Sequence, residues 1–252
     1  MSHMATERAK AAVVTGAAGG IGQALARQLA QDGLRVAIAD VRPADETLEL
    51  IRAAGSEGMS VRCDVSSEAA VGALAVAVQE RFGRCDVLVA NAGIYPVAPF
   101  EEVDFALWRR IMSVNLDSLF HLVQAFLPGM RGAGWGRIVC MASNGFHTGL
   151  PLLTPYVASK GGVIGLVRSL AGEIGGDGVT INALAPSLTR TPGTSDGPHE
   201  RLGWFERVAD HQAIRRTQVP GDLIGVLSFL VSDAAAFMTG QTLVVDGGAV
   251  RG

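Results

Sequence analysis

Tyr156 and Lys160 stand four residues apart in a stretch that reads as helix, so their side chains share one face. Such pairs are commonly surface decoration, but this chain's usage argues for a task. Of 21 basic residues only Lys10 and Lys160 are lysines, and tyrosine occurs only at Tyr95 and Tyr156. Lysine supplies a compact ammonium with rotatable donors, which a planar guanidinium does not replace. A free phenol titrates near pH 10, so to act as a base near neutrality its pKa must fall by roughly 3, about 4 kcal/mol. A nearby ammonium supplies part of that field. Ser143 precedes Tyr156 by thirteen residues and follows an apolar run. Its hydroxyl could hold a substrate oxygen beside the phenol, or simply serve a turn. Asn115 falls inside a long predicted helix, where asparagine is a poor residue. It could hold a water, bend the helix or be a satisfied core amide.

A second constellation lies near the start. Thr15-Gly16-Ala17-Ala18-Gly19-Gly20-Ile21-Gly22 separates the first apolar run from the first helical one. Glycines there let the backbone turn sharply and approach a pyrophosphate, which the helix N-terminus then attracts. Such turns are common, and it is the placement after a first strand that favours a dinucleotide. Asp40, 18 residues after Gly22, ends the second apolar run. A carboxylate there accepts ribose hydroxyls and repels a 2′-phosphate, which favours NAD over NADP, although Arg42 nearby could tolerate a phosphate. The plainer reading is that Asp40 caps a turn before Pro43. Asp64-Val65 and Asn91-Ala92-Gly93 also sit at predicted strand ends, where open α/β sheets bind ligands. An oxidised nicotinamide ring, itself positive, would add to the field on the phenol.

These residues need a frame, and the chain supplies one by alternating strand and helix. Predicted strands are Ala11–Thr15, Arg35–Ala39, Met59–Cys63, Asp86–Ala90, Arg137–Met141, Val179–Leu184 and Leu243–Val245. Predicted helices are Ile21–Asp32, Ala44–Ala54, a segment capped by Ser67 and running to Phe82, a long one within Asp104–Met130, Pro155–Ile174 and Asp222–Val231. Strands that are apolar throughout, rather than alternating, fit a parallel sheet covered on both faces. The fold class is therefore α/β, a Rossmann-like doubly wound sheet of seven parallel strands flanked by helices. One irregular segment, 187–217, is rich in Thr, Pro, Gly and Arg yet carries Trp204 and Phe205. It reads as a substrate loop.

Composition bounds the rest. The chain has 252 residues, 48% apolar and 18% charged, with a net charge of -3, which excludes a disordered chain and argues against a nucleic-acid footprint. No apolar stretch is long enough for a bilayer, and the N-terminus has no secretory signal. Met1-Ser2-His3-Met4 reads as a cloning remnant, leaving residues 5–252 as one dinucleotide-binding catalytic domain. Three scattered cysteines and five scattered histidines suggest neither disulfides nor a metal, and the reading is a soluble cytoplasmic protein without metal.

The ordered set TGAAGGIG, Asp40, Cys63-Asp64-Val65, Asn91-Ala92-Gly93, Asn115, Ser143, Tyr156-Val157-Ala158-Ser159-Lys160, Asn182 through Thr191 and Val245-Asp246-Gly247-Gly248 resembles the short-chain dehydrogenase/reductase family. The resemblance implies NAD(P)-dependent interconversion of an alcohol and a carbonyl, with Asn115, Ser143, Tyr156 and Lys160 as a catalytic tetrad. It implies a dinucleotide held by Gly16, Gly20, Ile21, Gly22, Asp40, Val41, Asp64, Val65, Asn91, Ala92, Gly93, Tyr156, Lys160, Pro186, Ser187, Thr189 and Thr191. It also implies a homotetramer with the Asn115 and Tyr156 helices at one interface. The chain departs from the family's pattern at Ala90, Cys140, Ala142 and Ser187, and Ser187 could alter the nicotinamide pocket. Partial likenesses within the family, in Phe82–Asp86, Ile94-Tyr95-Pro96 and Ala142-Ser143-Asn144, imply a secondary alcohol, hemiacetal or aryl carbinol as substrate.

The substrate pocket is expected to be apolar, drawn from Tyr95, Asn144, Phe146, His147, Leu152, Leu153, Trp204 and Phe205. Trp204 and Phe205 could instead pack the loop onto the body, and His147 and His199 read as surface residues with a smaller chance of touching substrate. Two rivals remain: an NADPH-dependent 3-oxoacyl-thioester reductase and a non-catalytic dinucleotide-binding regulator. Asp40 speaks against the first, and the intact Tyr156–Lys160 pair against the second.

Overall fold

The computed structural model describes residues 9–251, so the remnant Met1–Met4 and the first residues of the expected domain lie outside the described residues. Seven strands are present: β1 (Ala11–Thr15), β2 (Arg35–Asp40), β3 (Gly58–Arg62), β4 (Val87–Ala90), β5 (Gly136–Met141), β6 (Val179–Pro186) and β7 (Thr242–Val245). They form one sheet in the order β3-β2-β1-β4-β5-β6-β7, and every adjacent pair is parallel. The order turns back at β1, so β1 and β4 diverge from each other's crossovers and open a crevice at their C-terminal ends.

Helices α1 (Gly20–Gln31), α2 (Asp45–Ala53), α3 (Glu68–Phe82), α4 (Phe105–Met112), α5 (Ser118–Ala133), α6 (Gly145–Thr148), α7 (Thr154–Ile174), α8 (Pro192–Ser195), α9 (Pro198–Arg201), α10 (Trp204–His211) and α11 (Gly221–Val231) complete the main elements. Two apolar clusters cover the two sheet faces. One joins α3, α5 and α7 to the sheet through Leu74, Phe82, Leu122 and Val167; the other joins α1 and α11 through Leu25, Leu29, Leu223 and Leu227. β1, β2, β5 and β6 are buried along their whole length, including the polar residues Arg35, Asp40, Arg137, Thr180 and Asn182 that interrupt their apolar runs.

Three expectations are corrected. β3 is not apolar throughout: Ser60 and Arg62 are exposed, because β3 is an edge strand with only β2 beside it. The long helix is interrupted by a π-helical turn, Ser113–Asp117, which contains Asn115. An inserted residue of this kind tips one side chain out of the helical register, a device frequent at functional sites. Segment 187–217 is not irregular: it holds α8, α9 and α10. Thr191 and Thr194 form a reciprocal capping box, and Pro192 and Pro198 take first-turn positions where a missing N–H costs nothing. Elsewhere the predicted ends differ by a residue or two.

Candidate active site

The glycine turn holds β1 against α1 through contacts that only glycine permits. Gly16 has φ +65, and a Cβ there would stand 2.8 Å from Ala92 Cα. A Cβ on Gly22 would strike the Gly16 carbonyl oxygen and stand 2.6 Å from Asn91 Nδ2. Asn91 locks the turn by donating from Nδ2 to the Thr15 and Gly16 carbonyls at 2.9 and 3.1 Å. Thr15 Oγ1 accepts from Asn91 N and Ala92 N, both at 3.0 Å. Gly22→Ala should therefore unseat the turn, costing about 3 kcal/mol or more, read as a lowered midpoint in urea. An unchanged midpoint would show that the backbone gives way.

Asp40 is buried and aims at this turn. Its Oδ2 accepts from Ala18 N at 2.9 Å and its Oδ1 from Arg42 N at 3.0 Å. The Arg42 guanidinium lies 3.6 Å from Oδ1, and a Cβ on Gly19 would meet it at 3.7 Å. Acceptor and cation thus flank the same point, where an adenosine ribose would lie if a pyrophosphate occupied the turn. Thr191 closes over Gly20 from the other side, 3.5 Å from where a Cβ would be.

The reactive cluster lies at the β4–β5 end of the crevice. Lys160, on α7, is buried, and its Nζ donates to the Met141 carbonyl at 2.6 Å and lies 5.7 Å from the centroid of the Tyr156 ring. Ser143 Oγ accepts from Gly145 N at 3.0 Å. Burial pushes the Tyr156 phenol above its ordinary value, against the pull of the Ser143 hydroxyl. Burial also drives the Lys160 amine down from 10.5 to about 8. Without a dinucleotide, desolvation therefore holds the phenol up, and the expected lowering needs the positive nicotinamide ring as well as the amine.

Asn115 is not on the main cleft. Its Oδ1 accepts from Ile94 N at 2.8 Å, and its Nδ2 donates to the Ile94 carbonyl at 2.9 Å and to Ser159 Oγ at 3.0 Å. Both amide protons are spent. Asn115, Thr15, Ser118, Cys140 and Lys160 help to line a cavity of about 10 Å³ behind the cleft, close to the room one water needs.

The main cleft measures about 1460 Å³. That exceeds the usual small-ligand pocket and leaves space for a dinucleotide together with a second molecule. It is lined by Gly16, Gly20, Ile21, Gly22, Asp40, Val41, Asp64, Val65, Asn91, Ala92, Gly93, Pro186, Ser187, Thr189 and Thr191, and by Ser143, Tyr156 and Lys160. Glycine cradle, helix N-terminus and buried carboxylate together fit a nicotinamide dinucleotide. Of the expected substrate residues, Tyr95, Asn144, Leu153 and Trp204 line it.

Phe146, His147, Leu152 and Phe205 do not, and these four are corrections. On the single turn of α6, Thr148 faces the cleft while Phe146 and His147 face out, the Phe146 ring covering Gly161. Leu152 has φ +64, which swings its side chain outward while its carbonyl accepts from Ala98 N. Phe205 is buried on the body side of α10 beneath the Arg190 guanidinium, 4.1 Å from its ring centroid. His199 corrects the surface reading: it is 4% exposed, lines the cleft and makes edge contacts with Tyr95 and Trp204. Ile94, Arg207, Val208, His211 and Ala249 also line the cleft and were missed. For α10, the spacing of Trp204, Arg207, Val208 and His211 at helical period was the available signal.

Comparison with known proteins gives the family. Residues 16–250 match a family model described as enoyl-(acyl carrier protein) reductase. The chain is 41% identical over 241 residues to cis-4-hydroxycyclohexanecarboxylate dehydrogenase of Sinomonas cyclohexanicum, covering 95% of this chain and 96% of that one. It is 37% identical to D-threitol dehydrogenase of Mycolicibacterium smegmatis, covering 95% and 92%. Among solved structures, a variant of actinorhodin polyketide ketoreductase with NADPH superposes with a TM-score of 0.90 at 36% identity, covering 98% and 99%. On fold, cleft and these relationships, the chain belongs to the short-chain dehydrogenase/reductase family, whose members are oxidoreductases that bind a nicotinamide dinucleotide.

Proposed function

We propose that the protein reversibly oxidises a secondary alcohol, hemiacetal or aryl carbinol to its carbonyl, with NAD as the partner. The observation that carries this reading is the convergence of Ser143, Tyr156 and Lys160 on the same cleft that holds the glycine cradle and Asp40. Bound nicotinamide supplies the acceptor for the hydride, with its electron pair. With Tyr156 as phenolate, its own proton already released to solvent, the hydroxyl proton of the carbinol passes to the phenolate oxygen as the carbonyl forms, and Ser143 holds the substrate oxygen by donating a hydrogen bond. Lys160 holds ribose hydroxyls and, once paired with them, keeps its charge beside the phenol. Asn115 fixes the Ile94 main chain and borders the water-sized cavity next to Lys160, a route for the proton to solvent. The relatives act on a ring-borne hydroxy acid and a polyol, both of which carry secondary alcohols.

Asp40 supports NAD, since a 2′-phosphate would meet its carboxylate. Arg42 supports the rival, an NADPH-dependent oxoacyl reductase, because its guanidinium borders the same point, and the superposed ketoreductase is one with NADPH. Removing the carboxylate by Asp40→Ser should raise the NADP-to-NAD ratio of kcat/KM by about 10–100-fold, the scale of a like-charge repulsion over a few ångströms. A wild type already faster with NADPH would favour the rival. The reaction is tested by following NADH absorbance across aryl, alicyclic and acyclic secondary alcohols; a protein that binds dinucleotide yet turns over none of them would be the regulator instead.

The same reading takes the assembly as a homotetramer in the cytoplasm. Phe105 on α4 and Phe120 on α5 are 76% and 56% exposed, a large apolar area for a lone subunit, and the three cysteines are free thiols.

A further inference from the structure

Helix α2 carries a polar residue where its inner stripe calls for an apolar one. Its buried residues, Thr47 and Ile51, stand one turn apart on one face, and both are 0% exposed. The Thr47 hydroxyl joins three elements. Its Oγ1 donates to the Ala17 carbonyl in the glycine turn at 2.8 Å and accepts from Gln23 Nε2 on α1 at 3.1 Å. The Gln23 amide takes a lone pair of the hydroxyl and leaves its proton for Ala17. Among the described residues no other donor reaches that carbonyl.

The same peptide is held at its other end, where Ala18 N donates to Asp40 Oδ2 at 2.9 Å. In a planar trans peptide the carbonyl and the N–H point opposite ways. The Ala17–Ala18 unit is therefore clamped between α2 and the end of β2, with its carbonyl oxygen turned away from Asp40 and the cleft that Asp40 lines. Turned over, that oxygen would face the cleft and oppose an anion there. Asn91 secures the start of the turn at Thr15 and Gly16, and the clamp secures the residues that lead into Gly19 and Gly20. Nothing else steadies that stretch from the helix side: α1 follows Gly19 without a side-chain cap, and its first N–H groups are the ones an anion takes.

We propose that Thr47 is a positioning residue for dinucleotide binding: by holding the Ala17 carbonyl it keeps the turn through Gly19, Gly20 and Ile21 in the form that receives a pyrophosphate. Thr47 does not itself line the cleft, so it acts only through the main chain. Loss of its hydroxyl leaves a buried carbonyl unpaired. The turn then spends part of its time in other forms, and affinity falls in proportion to the time lost. The proposal rests on a nicotinamide dinucleotide occupying this turn, and not on which alcohol is oxidised.

The test is NADH affinity by fluorescence titration, beside urea midpoints of the same variants. Thr47→Val keeps the side-chain shape and removes the hydroxyl, and should raise the Kd for NADH by about 10-fold, the scale of one buried hydrogen bond. Thr47→Ala removes the hydroxyl without setting a methyl against the carbonyl, and should show the same loss even where Thr47→Val fails to fold. Thr47→Ser restores the hydroxyl and should return the Kd to within about twofold of wild type. Amide exchange at Ala18 should quicken in Thr47→Val by a factor similar to the loss of affinity. Ile51→Val trims the same buried stripe one turn on and lowers the urea midpoint, yet should leave the Kd within about twofold. An unchanged Kd in both Thr47→Val and Thr47→Ala, no recovery in Thr47→Ser, or an equal loss in Ile51→Val would overturn the proposal. A wild type that binds no NADH would overturn the occupancy of the turn itself, and this proposal with it.

Discussion

Tyr156→Phe should lower kcat by about 10⁴-fold, the upper range for a positioned acid–base group, while NADH binds within about twofold of wild type. The phenylalanine keeps the ring and its edge contact with Tyr95 and removes only the hydroxyl. Rates measured with a secondary alcohol, beside NADH affinity from fluorescence, separate chemistry from binding. Retained turnover would move the proton to another group and defeat the assignment. Burial holds this phenol high in the protein alone, so base activity must appear only when the dinucleotide is bound. Its pH–rate profile is then expected to show an ionisation below that of the free phenol.

Lys160→Met should do two opposite things. Turnover should fall by at least about 100-fold, and the protein without dinucleotide should become more stable. In the unfolded chain the amine holds its proton up to its ordinary 10.5; in the folded protein it does so only to about 8. Between those values the unfolded chain binds more protons, so stability rises with pH across that window. Below about 8 the buried charge costs its full amount, about 3 kcal/mol. Losing the hydrogen bond to the Met141 carbonyl returns about 1 kcal/mol of that. The net expectation is a gain of about 1–3 kcal/mol at pH 7, shrinking toward zero by pH 10. Urea midpoints of both proteins at the two pH values check it. A variant less stable than wild type at pH 7 would mean that the amine is solvated or paired where the structure shows it buried.

The seven strands and the main helices were legible because each declares itself over a few residues. Unbroken apolar runs mark the buried parallel strands, and a change to helical spacing marks what covers them. The glycine turn was legible for the same reason, since its demand for small residues is local. So was the Tyr156–Lys160 pair, fixed by one turn of helix. The exposure of edge strand β3 and the helices inside 187–217 were not, because what decides them is which neighbours are present.

Contacts between distant parts of the chain decided the substrate end. Asn144 donates from Nδ2 to Asp246 at 3.2 Å across 102 residues. Asp246 in turn accepts from the main chain of Gly248, Ala249 and Val250, folding the C-terminal turn against the cleft. Ser187 donates to Gln212, joining the end of β6 to the end of α10. The amino-acid order alone thus determined the sheet, the phosphate cradle and the reacting pair, since hydrogen-bonded periodicity sets these locally. Only the tertiary structure decided that His199 is buried, that Phe205 faces the body, and that burial raises the phenol. Burial and side-chain direction are properties of what packs against a residue, and that is known only once the chain has closed on itself.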